Sequence, residues 1–187
     1  MSAPPEMPEL VIRALRMSLE RGYVQTSRSE TGRLLATLAA TRTGAMAECG
    51  TGCGVGAAWL RSGAPKATRV ITAELDPELA HGVMEMFEHD DIDVFHADWT
   101  SLADHAPFSL IFIDAGSARS TSREQIIDLL GEGGMIVLDD FVPTSSWPPV
   151  VGGRIDTLRQ EWLSDERFAC ADVMVAEDTS VLIAVRR

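Results

Sequence analysis

Short apolar runs in this chain keep ending in acids. AMAEC carries Glu48, RVITAEL carries Glu74, IDVFHAD ends at Asp98, FSLIFID at Asp114, and MIVLDD at the pair Asp139 and Asp140. Any one of these carboxylates reads as a solvated strand end or a helix cap. Five in succession point to one polar edge that receives a ligand's hydroxyls, amines or cationic centre. A second signal lies in the turn after the first run, AECGTGCGVGAAW, where Gly50, Gly52, Gly54 and Gly56 alternate. Glycines there let a ligand approach the backbone and let the next helix pack close. As a dinucleotide fingerprint, the frame from Gly50 fails at Val55, whereas Gly52, Gly54 and Ala57 satisfy the looser form. No Gly-Lys-Ser/Thr follows, which excludes a P-loop.

Glu48 separates the remaining readings. An acid two residues before the first glycine sits beside the ligand, where it repels a pyrophosphate, a group that prefers helix N-terminal amides. It suits a cationic ligand instead. S-adenosylmethionine carries a sulfonium and an ammonium and has no phosphate. Glu74 offers a carboxylate to both ribose hydroxyls, a role shared with a nicotinamide dinucleotide. Asp98 with Trp99 suits an adenine, the carboxylate taking the exocyclic amine and the indole offering a face.

The elements that position these residues follow from periodicity. PELVIRALRMSLERG places Leu10, Val11, Ala14, Leu15, Met17 and Leu19 on one helical face that stops at Gly22. SRSETGRLLATLAATRTG repeats the pattern, with Ser27 and Glu30 at capping-box spacing and Gly44 closing the helix. From residue 45 the acid-ended runs alternate with amphipathic stretches. These are GAAWLRSG, ELAHGVMEMFEH after the Asp76-Pro77 start signal, and SREQIIDLLGEGG stopped by its glycines. Strand, helix, strand at this spacing predicts right-handed βαβ units and a parallel sheet. After a Pro-rich loop and a helix at DTLRQEWLS, the runs FACADVMVAED and TSVLIAVRR lie too close for a crossover and form an antiparallel hairpin. The expected fold is α/β: a doubly wound, Rossmann-like, seven-stranded sheet, mostly parallel with a C-terminal antiparallel hairpin. The chain is expected to be one domain over 1–187, with N-terminal helices in 1–44 and the Rossmann-like core in 45–187.

Composition narrows the function classes. The 187 residues are 45% hydrophobic and 24% charged, which argues against disorder. Sixteen Lys and Arg face 28 Asp and Glu, a net charge of −12 that disfavours a nucleic-acid partner. No apolar run approaches the ~20 residues that cross a bilayer, so no membrane partner is expected. Cys49, Cys53 and Cys170 are an odd count without framework spacing, which fits reduced thiols in the cytoplasm and no zinc site.

AECGTGCGVGAAWL, ITAELDP, FHADW, FSLIFIDA and GGMIVLDDF, in this order and spacing, resemble the class I S-adenosylmethionine-dependent methyltransferases. The set is most similar to the small catechol- and caffeoyl-CoA-type O-methyltransferases, from about residue 25 to the C-terminus. The resemblance implies that Glu48, Gly50, Thr51, Gly52 and Gly54 line the methionine and ribose side of the cofactor. It implies that Glu74 holds the ribose, that Leu75 and Trp99 flank the adenine, and that Asp98 takes its amine. YVQTSRSETG resembles the family's entry helix, which helps cover the cofactor. In that family a divalent ion lies between an Asp after the fourth strand and an Asp-Asn pair after the fifth. Asp114 and Asp139 match, and Asp140 stands in place of the Asn. Such a set would suit Mg²⁺ or Ca²⁺ and would lower the pKa of a bound phenol. The alternative is that Asp114 touches only the cofactor and that Asp139 and Asp140 end the strand. The family's lysine three residues after its first Asp is Ser117 here, so the sequence identifies no general base.

Other candidates fall away or stay open. His81 and His89 read as helix-surface residues, His96 as a packed strand residue, and His105 lies within reach of the site from a loop. Trp147 in VPTSSWPPVVGG either walls a substrate pocket or packs on the terminal hairpin. Asp114-Ala115-Gly116-Ser117 lacks the Pro-Pro-aromatic of adenine-N6 methyltransferases. The leading expectation is methyl transfer to an oxygen of a small-molecule acceptor. An NAD(P)-dependent oxidoreductase is the second reading, weakened because Tyr23, the only tyrosine, precedes the sheet and offers no Tyr-Lys hydride pair. A non-catalytic S-adenosylmethionine binder is the third. The resemblance also suggests a homodimer.

Overall fold

The computed structural model describes residues 6–114, 116 and 123–187. Its elements are α1 (Glu9–Glu20), α2 (Ser29–Ala39), β1 (Met46–Cys49), α3 (Val55–Gly63), β2 (Val70–Glu74), α4 (Pro77–Met86) and β3 (Ile92–His96). A 3-10 helix (Trp99–His105) leads to β4 (Phe108–Ile113), α5 (Arg123–Ile127) and β5 (Leu130–Phe141). The chain closes with β6 (Val150–Val151), β7 (Arg154–Ile155), α6 (Thr157–Ser164), β8 (Phe168–Ala176) and β9 (Thr179–Arg186).

The main sheet has seven strands in the order β3-β2-β1-β4-β5-β9-β8. β1 to β5 pair in parallel, and β9 joins β5 and β8 antiparallel, as the expected doubly wound sheet requires. The chain runs from β1 outward to β3, then returns on the other side of β1 as β4. That reversal opens a crevice over the carboxyl ends of β1 and β4. The register sets its floor: Cys49 pairs with both Ala73 and Ile113, and Ile113 pairs with Leu138. Gly50, Glu74, Asp114 and Asp139 therefore leave the sheet at one level.

Alternation along the strands divides the core between two faces. Met46, Val70, Leu110, Phe112, Met135 and Val137 pack with residues of α1 to α4. Ala47, Ile71, Ile111, Ile136 and Leu138 pack on the other face with Leu102, Ile126, Ile127 and Trp162. The N-terminal helices lie close on α3. A Cβ on Gly32 would collide with the Trp59 ring, and one on Gly63 would meet the Ala36 carbonyl. Asp76 caps α4 as its spacing predicts, Oδ1 accepting from the Glu78 and Leu79 amides at 2.8 and 3.0 Å.

Local expectations differ from the structure in five places. Leu19 turns outward and is 83% exposed, because α1 buries the narrower stripe Val11, Ala14 and Ser18. No capping box forms: α2 starts at Ser29, its N-cap Arg28 makes no side-chain cap, and the Ser27 hydroxyl faces Asp114. α2 ends at Ala39, so Gly44 does not close it. Gly131, Gly133 and Gly134 belong to the start of β5 rather than to the stop of α5. A small hairpin, β6 with β7 around Gly152 and Gly153, was hidden in the Pro-rich loop.

Candidate functional site

A cleft of about 710 Å³ occupies the expected crevice. Its described lining comes from six places: the segment after α1 (Tyr23, Val24, Gln25, Thr26, Arg28), the glycine turn (Gly50, Gly52), and the ends of β2 (Ala73, Glu74, Leu75), β3 (Ala97, Asp98, Trp99), β4 (Asp114, Gly116) and β5 (Asp140). Of the residues expected around the cofactor, the structure brings Gly50, Gly52, Glu74, Leu75, Asp98, Trp99 and Asp114 to this one wall.

Glu74 organises the centre. Its Oε2 accepts from the Gly52 amide at 2.7 Å and its Oε1 from the Asp76 amide at 2.9 Å. These bonds fix the carboxylate and leave lone pairs on both oxygens for ligand hydroxyls. Gly50 and Gly52 hold φ of 90° and 53°, a left-handed path that side chains disfavour and that carries the backbone under the cleft. Asp98 caps the 3-10 helix, Oδ1 accepting from the Thr100 amide and hydroxyl at 3.0 and 2.7 Å. Those bonds hold its carboxyl below the usual range, and Oδ2 stays available to a ligand. Trp99 is buried beside it. Asp114 accepts from the Ser27 hydroxyl at 3.4 Å, and its amide extends the β1–β4 pairing to Cys49 O at 3.1 Å.

Glu48, Thr51 and Gly54, also expected at the cofactor, are buried and are not among the described residues that line the cleft. Glu48 shares the strand face of Met46, so alternation sends it beneath α3. It is fully buried, Oε2 accepts from the Thr72 hydroxyl at 2.8 Å, and Oε1 has no hydrogen-bond partner among the described residues. Burial drives its pKa well up, against the Thr72 hydrogen bond; Asp114 and Glu74 add to the rise. Thr51 is buried too, its hydroxyl 2.6 Å from that of Thr72. Gly54 starts α3, where a Cβ would press on Phe87 and Val83. All three shape the turn from below.

The expected metal ligands do not assemble. Among the described residues, no three of His, Cys, Asp and Glu form a group able to hold a metal ion. The cause is the cover over the end of β5. Asp139 follows Met135 and Val137 onto the face covered by α2, where it is 2% exposed. There its Oδ1 accepts from the Thr31 hydroxyl at 3.0 Å and from the Asp140 amide at 2.8 Å. Asp140, at φ 61°, alone of that pair lines the cleft. Among the described residues, these three acids therefore do not form a Mg²⁺ donor set. Ser117, at the position of the missing lysine, lies outside the described residues.

Of the other candidates, His81 is a helix-surface residue 3.3 Å from Glu85, and His89 is exposed. His96 is exposed rather than packed, and His105 stacks on Phe95 with centroids 4.8 Å apart, away from the cleft lining. Trp147 is 65% exposed and does not line the cleft. Sequence reasoning passed over Tyr23, Gln25, Thr26 and Arg28 as site residues. A chain reversal at Gly22, φ 62°, brings them over the cleft, and the only signal was the resemblance of their segment to a cofactor cover.

Residues 47–141 match the Methyltransferase domain family, and the chain belongs to it, within the class I methyltransferases. No curated protein matches the chain in sequence. Solved structures share the fold. A methyltransferase from Geobacter sulfurreducens is 18% identical, with TM-score 0.76 over 98% of this chain and 93% of its own. An O-methyltransferase from Bacillus cereus in complex with SAH is 20% identical, with TM-score 0.75 over 97% and 92%. The Streptomyces achromogenes O-methyltransferase involved in tomaymycin synthesis, in complex with SAM, is 16% identical, with TM-score 0.74 over 97% and 92%. Among the described residues, no helix is long and apolar enough to cross a membrane.

Proposed function

We propose that this protein takes a methyl group from S-adenosylmethionine and passes it to an oxygen of a small-molecule acceptor. One observation carries the reading. The cleft sets Asp98 with Trp99, then Glu74, then the Gly50–Gly52 turn, then Asp114 and Asp140, in strand order across one wall. Family membership and the neighbours in complex with SAM or SAH support it. In this arrangement Trp99 and Leu75 flank the adenine, Asp98 accepts from its amine, and Glu74 accepts from the ribose hydroxyls. The methionine arm runs over the glycine turn toward Asp114. Among the described lining residues, four carboxylates against one guanidinium, Arg28, favour a sulfonium and oppose a pyrophosphate, which disfavours a nicotinamide dinucleotide.

The bound S-adenosyl group supplies an activated methyl. The chain's own work is then alignment and exclusion of water, the source of much of the acceleration in such a transfer. The acceptor end lies between Asp114 and Asp140, and either carboxylate can take the proton that an acceptor hydroxyl loses. The test is transfer from labelled S-adenosylmethionine to a panel of phenols, catechols and amines. A methyl ether product is expected. An N-methylated product would overturn the oxygen assignment, and binding without transfer to any acceptor would leave a binder rather than an enzyme.

A further inference from the structure

Tyr23 is the one tyrosine of the chain and lies over the turn that carries the cleft. A Cβ built on Gly52 would stand 3.0 Å from Tyr23 Oη, 3.2 Å from Cε1 and 3.3 Å from Cζ, so the ring rests on the glycine that a side chain would displace. The backbone is tied down on both sides. The Tyr23 amide donates to Ser18 O at 2.8 Å at the end of α1. Five residues on, Arg28 pairs with Asp178 in the β8–β9 turn through two bonds of 2.8 and 2.9 Å, and Ser27 reaches Asp114. The segment thus crosses the cleft as a strap anchored to both walls.

Position across the sheet says what the phenol meets. Tyr23 lines the cleft together with Glu74 of β2 and Asp114 of β4, and the β1 turn lies beneath it. The adenine end of the cleft is one strand away, at Asp98 and Trp99 of β3. We propose that the Tyr23 hydroxyl donates a hydrogen bond to the methionine arm of the S-adenosyl ligand, making Tyr23 the residue that reads the arm bearing the methyl group. The inference rests on the S-adenosyl reading above. Burial, then Asp114 and Glu74, hold the phenol above its usual range, so it is a donor rather than a base at neutral pH. Its natural acceptor is the ligand's α-carboxylate, the one anion on that arm, which would otherwise face an acidic cleft.

Tyr23→Phe keeps the ring on Gly52 and removes only the donor. Calorimetric titration of the wild type and Tyr23→Phe with S-adenosylhomocysteine and with adenosine separates the outcomes. The expected result is roughly tenfold weaker S-adenosylhomocysteine binding in the variant, the size of a lost hydrogen bond to a charged group, with adenosine affinity unchanged. Unchanged S-adenosylhomocysteine affinity overturns the proposal, and so does an equal loss for both ligands, which would mean a disturbed turn. A wild type that binds no S-adenosylhomocysteine defeats the S-adenosyl reading itself, and Tyr23's role with it.

Discussion

Glu74 and Glu48 are carboxylates one strand apart with opposite surroundings. Glu74 sits at the cleft with two backbone donors. Glu48 is sealed beneath α3 with one oxygen bonded to Thr72 and the other without a hydrogen bond of good geometry among the described residues. A folded-state pKa raised by burial means that Glu48 favours the fold when protonated and costs stability once pH rises through that folded value. Glu48→Gln keeps the size and the acceptor for Thr72. Thermal melts are expected to show the variant gaining on the wild type as pH rises from 5 to 8. A gain that shrinks over that range would mean that the buried carboxylate is stabilised by its charge. The acid types were legible in the sequence, and their spacing located the cleft. Which acids face a ligand was decided by depth and cover: Glu48 lies inside the sheet, level with Thr72 and two residues short of the level of Glu74, and Asp139 is covered by α2. Residue type alone cannot show that.

At the scale of elements, the helices bring the strap to the cleft through close contacts. α2 crosses α3 where Gly63 meets the Ala36 carbonyl and Gly32 meets Trp59. Gly63→Ala forces backbone apart and is expected to destabilise by about 1–3 kcal/mol, the usual cost of overpacking, in denaturant unfolding. An effect within experimental error would mean that the two helices are not in contact. At the opposite end of the sheet, Asp165 accepts from Arg167 and from Arg123 at 2.6 Å, and Arg123 lies 4.3 Å over the Trp162 ring. Arg167, first, and then Arg123 hold the Asp165 carboxyl well below its usual range. Its stabilisation is therefore present above the unfolded-state pKa and is lost as pH falls through the folded one. Asp165→Asn should lower Tm at pH 7, with the gap to wild type narrowing below about pH 4. A gap independent of pH would assign the loss to packing. Element order and the terminal hairpin were legible because period-2 and period-3.6 patterns alternate cleanly. The capping box failed because Ser27 has a tertiary partner, Asp114, that local spacing cannot reveal. The β6–β7 hairpin is only four strand residues long, below the length at which alternation is readable.

Over the whole molecule, strand register converts five scattered motifs into one wall, and the reversal of strand order at β1 and β4 places it. α2 covers Asp139 and draws it onto Thr31, so among the described residues it does not join Asp114 and Asp140 in a Mg²⁺ donor set. Titrating Mg²⁺ into the protein loaded with S-adenosylhomocysteine is expected to give no saturable heat. A one-to-one isotherm would show that Asp139 turns outward and that the three acids assemble after all. The measurement that bears most directly on the account is calorimetric binding of S-adenosylhomocysteine and NAD to the wild type and to Glu74→Ala. The account predicts binding of S-adenosylhomocysteine alone, weakened ~10–100-fold by the substitution, the cost of losing charge-assisted bonds to ligand hydroxyls. NAD binding with no S-adenosylhomocysteine binding, or an affinity indifferent to Glu74, would contradict it.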